Sequence, residues 1–417
     1  MDGRSNLNIA VIGAGIIGVN TAYKLQETNL SVTLFDEHDP GSQTSMGNAG
    51  TFANYACIPI NSNEIFLNLP YLLFSNNSPL SFQWSKIIYN FPWLLKFLIN
   101  CKKENVIKIT NILAFLLKNS LEYNDSLFKK LNLFKYINKN EVLYLFENEI
   151  DFFKDKKNLE VRENLNIKFQ YLNSNEIKDL EPNLIKNFYK GVLFQNSKST
   201  IDPKKYTEKI FNEFLKIKGK FKKEKIYNII NDKNKLKLLT KDNYIKDFDK
   251  VIICAGAQSG FLSKLFGDFF DIVSERGYHL MYQNYGNIIK RPIGIGKQGF
   301  YYTPMDDGLR AAGTVEIGSN NKQINHSRIK WMEKRVKETF DVKDLPNKVW
   351  LGFRPTLPDS LPVIGESKIN SNVIYNFGHQ HLGLTLASYS AEIVKKIIYS
   401  EKLDKEIDLI NPRRFDS

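Results

Sequence analysis

Three glycines near the start of the chain have the spacing of a phosphate-binding turn. Gly13, Gly15 and Gly18 follow the short apolar run Ile9–Ile12 and precede a segment with apolar residues at helical spacing. In this pattern the first glycine permits a tight turn, the second lets backbone approach a pyrophosphate, and the third lets helix and strand pack closely. The free N–H groups and the positive dipole end of the helix would then attract the anion.

An acidic residue follows at the distance that a ribose contact requires. The run 30–35 reads as a second buried strand and ends at Asp36, 18 residues after Gly18 (36 − 18 = 18). A dinucleotide site places such a carboxylate about 20 residues beyond the glycines, against a ribose hydroxyl. An ordinary strand–turn–helix without a ligand is the alternative, and the position of Asp36 favours the dinucleotide site.

The loop after Asp36 is rich in small residues and hydroxyls, with glycines at 41, 47 and 50. Such a loop is often a simple surface turn. Because this one follows the second strand of a predicted dinucleotide fold, we expect its backbone amides to wrap the ligand.

Composition narrows the class of protein. The 417 residues are 42% hydrophobic and 25% charged, which is typical of a globular protein with room for two domains. The net charge of +13 and pI near 9.2 could indicate an anionic partner. However, the lysines are scattered and no basic cluster alternates with aromatic residues, so we expect no nucleic-acid partner.

The three cysteines, Cys57, Cys101 and Cys254, lack metal-ligand spacing, so we predict free buried thiols and no metal site.

The chain shows no secretory leader and no apolar run near the roughly 18 residues that span a bilayer. We therefore expect a cytoplasmic protein.

The apolar residues of the stretch 61–135 predict several apolar helices, and Pro92 should kink or end one of them. The stretch 82–103, with two tryptophans and Lys102-Lys103, could lie on the cytoplasmic membrane face as a peripheral contact. Packing of these helices on a neighbouring sheet is the favoured alternative.

Several motifs, spread over nearly the whole chain, resemble those of the FAD-dependent amino-acid oxidoreductases of the D-amino-acid oxidase and glycine oxidase type. The loop that ends Gly-Asn-Ala-Gly and the helical block near 61–135 are most similar to the D-amino-acid dehydrogenase branch. The motifs are Ile9–Gly18, Thr44–Gly50, Cys254–Ala257, Gly352–Pro355 with Leu361–Gly365, and Asn376–His379 with Leu382–Thr385.

The resemblance implies an α/β fold with non-covalent FAD in a Rossmann-like domain, interleaved with an α+β substrate domain that has a mixed or antiparallel sheet capped by helices. A C-terminal segment without cysteine argues against a covalent flavin link. The implied boundaries are residues 1–60, 197–262 and 350–417 for the FAD-binding domain, and 61–196 and 263–349 for the substrate-binding domain.

The resemblance also implies a set of cofactor contacts. Gly13, Gly15 and Gly18 would hold the pyrophosphate, and Asp36 the adenosine ribose. The remaining implied contacts are Ser45, Asn48, Ala49 and Gly50 along the flavin, Ile226 at the adenine, Ala255 and Gly256 beside the dinucleotide, and Gly378, Gly383, Leu384 and Thr385 where a helix N-terminus meets the flavin.

Three residues are candidates for the chemistry. Arg354 stands where glycine oxidase-like enzymes keep an arginine for the substrate carboxylate, and its planar fork suits that role. The alternative for Arg354 is a structural ion pair. Tyr301 and Tyr302 must face opposite sides of a strand, and similarity to the family favours Tyr301 as the one that reaches the substrate. His379 either tunes the flavin and substrate or shapes the loop behind them.

The implied reaction is oxidation of a D-amino acid to the imino acid, which hydrolyses to the 2-oxo acid and ammonia. Electrons would pass to a quinone or another carrier. The alternatives are a secondary amino acid as substrate, such as D-hydroxyproline, sarcosine or glycine, and a non-catalytic FAD-binding subunit of an electron-transfer complex. The sequence departs from the family at Arg276, where lysine is common, and at Gln380-His381, so substrate choice could differ.

Overall fold

The computed structural model describes residues 7–61, 80–82, 90–232, 235–241, 244–317 and 321–415. The apolar segments predicted as helices near 71–74 and 84–88 lie outside these ranges. The helices are α1 (Ile16–Gln26), α2 (Phe91–Asn100), α3 (Lys103–Lys130), α4 (Glu149–Asn164), α5 (Ser174–Leu180), α6 (Pro203–Lys216), α7 (Ser259–Lys264), α8 (His326–Thr339), α9 (Gly383–Tyr399) and α10 (Lys405–Asp408).

Twenty-one strands accompany these helices in the described ranges. They are β1 (Asn8–Ile12), β2 (Ser31–Phe35), β3 (Thr51–Phe52), β4 (Leu80–Phe82), β5 (Ile137–Asn138), β6 (Val142–Phe146), β7 (Phe169–Leu172), β8 (Lys190–Phe194), β9 (Lys198–Thr200), β10 (Lys220–Lys222), β11 (Asn228–Asp232), β12 (Lys235–Leu239), β13 (Tyr244–Phe248), β14 (Lys250–Ile253), β15 (Val273–Tyr282), β16 (Ile293–Ile295), β17 (Phe300–Met305), β18 (Gly308–Ile317), β19 (Lys348–Thr356), β20 (Val363–Glu366) and β21 (Val373–Phe377).

A six-stranded sheet positions the glycine turn. Its order is β10-β2-β1-β14-β21-β20, and β1 pairs in parallel with both β2 and β14. Because parallel strands end at the same edge, the turn after β1, Asp36 after β2 and Ala255 after β14 meet there. The apolar residues of β1 and β2 are buried, as continuous apolar runs in a parallel sheet predict.

A second, larger sheet forms the opposite wall of the site. Its order is β19-β15-β18-β17-β16-β6-β8-β7, with β4 beside β18. Most pairs are antiparallel, but β16 pairs in parallel with β6 and β18 with β4. The helix α8 buries Met332 and Val336 in the same core as this sheet. The predicted combination of a Rossmann-like domain with a mixed sheet capped by helices is confirmed.

The helical block packs in two ways. In the stretch 82–103, α2 buries Trp93 and Phe97 together with Val273 of β15 and Ile317 of β18, which is the favoured packing on a neighbouring sheet. Pro92 lies in the first turn of α2, which its fixed φ and missing N–H suit, and the residues 83–89 before it lie outside the described ranges, so an end or kink of a helix at Pro92 stays a prediction. The long helix α3 packs instead mainly against α9, with Ile109, Leu113 and Leu116 in the core that the first sheet shares with its helices. Within the described residues, no helix is both long and apolar enough to cross a bilayer.

The division into two domains stays a prediction. The predicted boundary between residues 349 and 350 falls inside β19, which is an edge strand of the larger sheet. A small sheet of β3, β9 and β5 joins strands from both predicted domains. The two predicted domains are therefore linked by backbone hydrogen bonds as well as by the segments in which the chain passes from one to the other.

Candidate cofactor and substrate site

One cavity of about 890 Å³ runs between the strand ends of the first sheet and the face of the second. Its volume lies in the range typical of small-molecule sites, roughly 300–1,000 Å³. Asp36 and Ile226 line one end, the turn 13–17 lines the middle, and Tyr301 and Arg354 line the other end. The predicted site residues that line this cavity therefore come together from positions more than 300 residues apart in the sequence.

The glycine turn is built so that no side chain fits. Gly13 has a φ of +105°, and a Cβ there would lie 2.4 Å from the carbonyl oxygen of Cys254. A Cβ on Gly18 would lie 1.8 Å from the carbonyl oxygen of Gly13. Gly13 and Gly15 line the cavity, whereas Gly18 does not and instead lets α1 pack on β1. The turn thus presents bare backbone at the N-terminus of α1.

Asp36 fastens this turn and faces the cavity. Its Oδ2 accepts from the amide of Ala14 at 2.7 Å, and its Oδ1 accepts from the amide of His38 at 2.8 Å. Burial raises the pKa of Asp36, although both amides act in the opposite direction. Each carboxylate oxygen keeps a lone pair for a further donor, so Asp36 can accept from a ribose hydroxyl.

Other predicted contacts border the same part of the cavity. Ile226 is buried at its wall, and Ala255 and Gly256 follow β14. A Cβ on Gly256, which has a φ of +55°, would meet no atom within 4 Å. The Cα of Gly256 therefore faces open space inside the cavity.

The loop that follows Asp36 is stiffened by its own side chains. Ser45 accepts from the amide of Ile16 at 2.9 Å, which joins the loop to the start of α1. Asn48 donates to the carbonyl oxygen of Ser45 at 2.6 Å and accepts from the amide of Gly50 at 2.6 Å. Ser45, Asn48 and Ala49 line the cavity, but Gly50 does not, because its α-carbon packs against Met305.

The N-terminus of α9 points at the far end of the cavity. Gly378, with a φ of +84°, opens the turn, and Gly383 and Leu384 line the wall. Thr385 does not line it, because its hydroxyl accepts from the amide of Ala53 at 3.0 Å. A helix N-terminus at this position stabilises negative charge on a bound group.

His379 lies in that turn, but its ring is engaged within the protein. Its Nε2 lies 2.9 Å from Oγ of Ser390 on α9, and burial lowers the pKa of His379 to about 3. The imidazole is therefore neutral at pH 7. His379 also lines the cavity, so both roles that the sequence left open for it stay predictions.

These features fit FAD. The glycine turn carries no side chain toward the cavity, because a Cβ on Gly13 or Gly18 would collide with backbone. Asp36 lies beside this turn with lone pairs free for a ribose, and a Cβ on Gly256 would meet no protein atom within 4 Å. Bound here, FAD would place its adenosine beside Asp36, its pyrophosphate at the turn 13–15, and its ring beside Arg354, Tyr301 and the N-terminus of α9. We call these three parts of the wall the adenosine end, the pyrophosphate region and the ring end.

Arg354 is held at the ring end by a residue that the sequence analysis missed. Glu275 on β15 is paired in register with Arg354 on β19, and Arg354 Nη1 donates to Glu275 Oε1 at 2.6 Å. Nη1 also donates to the carbonyl oxygen of Thr314 at 3.1 Å. Gly277 makes room, since a Cβ there would lie 2.3 Å from Nη2. Among the described residues, Nε and Nη2 have no hydrogen-bond partner.

Glu275 is the centre of a small charged cluster. His381 Nε2 lies 3.3 Å from Glu275 Oε1, and Thr356 donates to Oε2 at 3.0 Å. Burial alone would raise the pKa of Glu275, but His381 and Arg354 outweigh it and lower the pKa to about 2. Glu275 is therefore ionised and holds Arg354 in place. The sequence offered only the adjacent charges Glu275-Arg276 as a signal, without indicating a partner.

The two adjacent tyrosines face opposite ways. Tyr301 lines the cavity, and its hydroxyl lies 3.3 Å from that of Tyr55, a second cavity residue that the sequence analysis missed. Tyr302 is fully buried in the core of the larger sheet and donates to Gln298 at 2.7 Å. Burial raises the pKa of Tyr301, so its hydroxyl is protonated and can donate.

Arg276, which departs from the family pattern, does not line the cavity. It is buried behind β15, where its Nη1 lies 3.4 Å from Glu316 and its Nη2 donates to the carbonyl oxygen of Gln323. Tyr278 donates to the same Glu316 at 2.6 Å. Arg276 therefore supports the sheet. Of the two departures, only Gln380-His381 borders the site.

Comparison with known proteins identifies relatives along the full chain. The family model DAO, FAD dependent oxidoreductase, matches residues 8–397. The D-amino-acid oxidase of Bradyrhizobium diazoefficiens is 29% identical over 416 residues, covering 98% of this chain and 99% of that protein. The D-amino acid dehydrogenase of Helicobacter pylori is 24% identical, covering 96% and 97%. A solved glycine oxidase from Geobacillus kaustophilus superposes with a TM-score of 0.77 at 16% identity, covering 98% and 99%.

Proposed function

Because this chain belongs to the DAO family of FAD-dependent oxidoreductases, we propose that it oxidises a D-amino acid to the imino acid, which water converts to the 2-oxo acid and ammonia. Bound FAD supplies the two-electron acceptor that takes the α-hydrogen as hydride. The protein binds the amino acid, orients its α-carbon and excludes water. Hydride loss from a neutral amine needs no protein base, so the side chains at the cavity wall are required only to bind and to orient.

The observation that carries the proposal is that Arg354 is held in place on one side of its guanidinium and, among the described residues, has free donors on the other. Its Nη1 is fixed by Glu275, its remaining edge, Nε with Nη2, is unpartnered among the described residues, and Arg354 lines the cavity. Two parallel N–H donors match the two oxygens of a carboxylate. The edge is partly desolvated, since the side chain is 17% exposed. A free amino acid supplies the carboxylate that this edge requires.

The surroundings of Arg354 are consistent with an α-amino acid. Tyr301 offers a hydroxyl donor on the same part of the wall, and Tyr55, Ala53 and Ala312 add mostly apolar surface. Glu275 compensates the charge of Arg354, so the pocket favours an amino acid with a single carboxylate over a dianion. The names of the two curated relatives support the D configuration, since both act on D-amino acids.

The decisive experiment is anaerobic bleaching of the yellow holoprotein. Each D-amino acid, its L enantiomer, and glycine, sarcosine and D-hydroxyproline would be added in turn, and loss of the visible flavin band recorded. Bleaching by D-amino acids at least about 100 times faster than by L enantiomers is expected, which corresponds to about 2.7 kcal/mol in the barrier. Faster bleaching by a secondary amino acid would move the substrate to that class. No bleaching by any amine would instead indicate a non-catalytic FAD-binding subunit.

The proposed electron acceptor is a quinone or another carrier rather than mainly oxygen. Support comes from α2, where Phe91, Leu95 and Ile99 follow one helix face and are about half exposed. Lys102 and Lys103 follow directly. An apolar face beside lysines suits peripheral contact with an anionic bilayer, which is where quinone is dissolved.

Sedimentation with vesicles of phosphatidylglycerol tests this contact. Leu95→Glu with Ile99→Glu should abolish cosedimentation, whereas Ile369→Glu, at an isolated residue that is 71% exposed, should not affect it. If the double variant sediments like the unaltered protein, the contact through α2 is wrong. Reduction of a soluble quinone analogue in preference to oxygen would be measured separately.

A further inference from the structure

Four successive carbonyl groups of the loop 46–49 are tied to the larger sheet. We call the three side chains that hold them, Arg310, His279 and Thr303, the loop tether. They come from three different strands, β18, β15 and β17. The bonds are Arg310 Nη1 to the oxygens of Met46 and Asn48 at 2.9 Å each, His279 Nδ1 to that of Gly47 at 3.1 Å, and Thr303 Oγ1 to that of Ala49 at 2.8 Å.

The loop tether determines which way the peptide groups of the loop point. In a trans peptide the carbonyl and the following N–H point in opposite directions. Because the carbonyls of Met46, Gly47 and Asn48 face the sheet, the amides of Gly47, Asn48 and Ala49 face away from it. These three residues line the cavity. The tether thus turns donors toward the bound group and acceptors away from it.

Arg310 differs from its two partners because it carries a charge. It is only 6% exposed, and no carboxylate among the described residues lies within ion-pair distance of it. Burial lowers the pKa of Arg310 to about 10, and the more distant Asp307 and Asp202 act against this shift, so it remains a cation at neutral pH. Burial and Arg310 together lower the pKa of His279 to about 3, so that ring is neutral and donates through Nδ1.

The loop tether lies at the ring end of the cavity. Asp36 marks the adenosine end and the turn 13–15 the pyrophosphate region, so the isoalloxazine has to extend toward Asn48, Ala49 and Arg354. Two-electron reduction of a flavin at neutral pH leaves negative charge on its ring. An uncompensated cation in a buried, low-dielectric position stabilises nearby negative charge more strongly than an exposed one does.

We propose that Arg310 raises the reduction potential of the bound FAD by placing a buried positive charge directly behind the loop 46–49, in addition to orienting the amides of that loop. This inference requires that the chain binds FAD, but it does not depend on which amine is oxidised. Failure of the substrate assignment would therefore leave it standing, and its own failure would leave the substrate assignment unaffected.

The test is the midpoint potential of the flavin in the purified holoprotein, measured against reference dyes. Arg310→Gln keeps hydrogen-bonding capacity but removes the charge. At a fixed potential the ratio of reduced to oxidised flavin should fall at least about tenfold, which for two electrons is a decrease of about 30 mV. Arg310→Lys keeps the charge, and its ratio should stay within about threefold of the unaltered protein.

Thr303→Val is the matched control for the tether itself. It removes the bond to Ala49 without changing any charge, so FAD should bind more weakly while the potential stays unchanged. If Arg310→Gln leaves the potential unchanged, or if Thr303→Val lowers it as much, the electrostatic role is wrong. If Arg310→Gln does not fold, the Arg310→Lys variant is the test. If that variant folds and binds FAD but its ratio of reduced to oxidised flavin at a fixed potential falls tenfold or more, the proposal is wrong.

Discussion

Glu275 and Arg354 lie directly opposite each other on the antiparallel strands β15 and β19, with Arg354 Nη1 2.6 Å from Glu275 Oε1. The register of the sheet therefore fixes the guanidinium before any substrate arrives. Gly277, two residues along β15, leaves the space that the guanidinium fills. A preorganised arginine loses little side-chain entropy when it binds a carboxylate, so its removal should weaken substrate binding. Its removal should also lower the stability of the fold, because it leaves the buried carboxylate of Glu275 without its arginine partner.

Replacement of Arg354 by Met should raise the KM for amino acids roughly 100-fold, because charge-assisted hydrogen bonds contribute about 1.5–3 kcal/mol. FAD should remain bound, since Arg354 borders only the ring end of the cavity. Steady-state kinetics and the flavin spectrum measure the two effects. Arg413→Met, at an exposed arginine, is the control and should leave KM unchanged. An unaltered KM in the Arg354→Met variant would reduce Arg354 to a structural ion pair.

Glu275→Gln should destabilise the fold by about 3 kcal/mol at pH 7, as expected when one partner of a buried pair is removed. The pKa of Glu275 is about 2, against an ordinary value of 4.5, so its ionised form stabilises the protein above about pH 4.5. This stabilisation is lost as the pH falls from 4.5 through 2. The difference between variant and unaltered protein should therefore shrink below about pH 4.5.

Urea unfolding at about pH 7 and at about pH 3.5 measures that difference. Glu338→Gln is the control, because Glu338 pairs with Arg335 on the exposed side of α8 and such pairs contribute about 0–1 kcal/mol. A free-energy difference for Glu275→Gln that is the same at both pH values would show that its charge does not stabilise the fold.

Tyr301→Phe and Tyr302→Phe should separate catalysis from stability. Loss of the Tyr301 hydroxyl should raise KM roughly fivefold with less than about 1 kcal/mol of destabilisation, because this hydroxyl borders the cavity. Loss of the Tyr302 hydroxyl should cost roughly 1–3 kcal/mol, because it leaves Gln298 without its buried partner. Kinetics and thermal unfolding are compared for both. The reverse pattern would exchange the two assignments.

Gly256→Ala should fold without FAD but bind the cofactor weakly. The new Cβ meets no protein atom within 4 Å and extends into the cavity, while a φ of +55° adds roughly 1–2 kcal/mol of strain. Gly267→Ala is the matched control, with a φ of +79° and only ordinary contact with Ile369, away from the cavity. Titration of each apoprotein with FAD compares the two. Equal affinities would mean that FAD does not pass Gly256.

Local patterns in the sequence were sufficient to predict the strand–glycine–helix turn and the acid beside it. The strand–glycine–helix spacing and the acid after the second strand depend on neighbours within about 30 residues, and their steric requirements are met in the structure. A Cβ on Gly13 or Gly18 would collide with backbone, so only glycine fits there. The strict alternation of strand side chains likewise determined that Tyr301 and Tyr302 face opposite sides.

Only the tertiary structure decided the charged contacts at the ring end. Glu275 meets Arg354 across 79 residues of sequence, and Arg310 meets Met46 across 264. Such contacts depend on the register and packing of whole strands, to which no short pattern is sensitive. The same applies to Thr385, which is turned toward Ala53. The sequence by itself therefore predicted a dinucleotide site, because the steric requirements of a turn are local, and motifs spread along the chain indicated the family and FAD. The arrangement of charge around Arg354 was decided by long-range strand pairing.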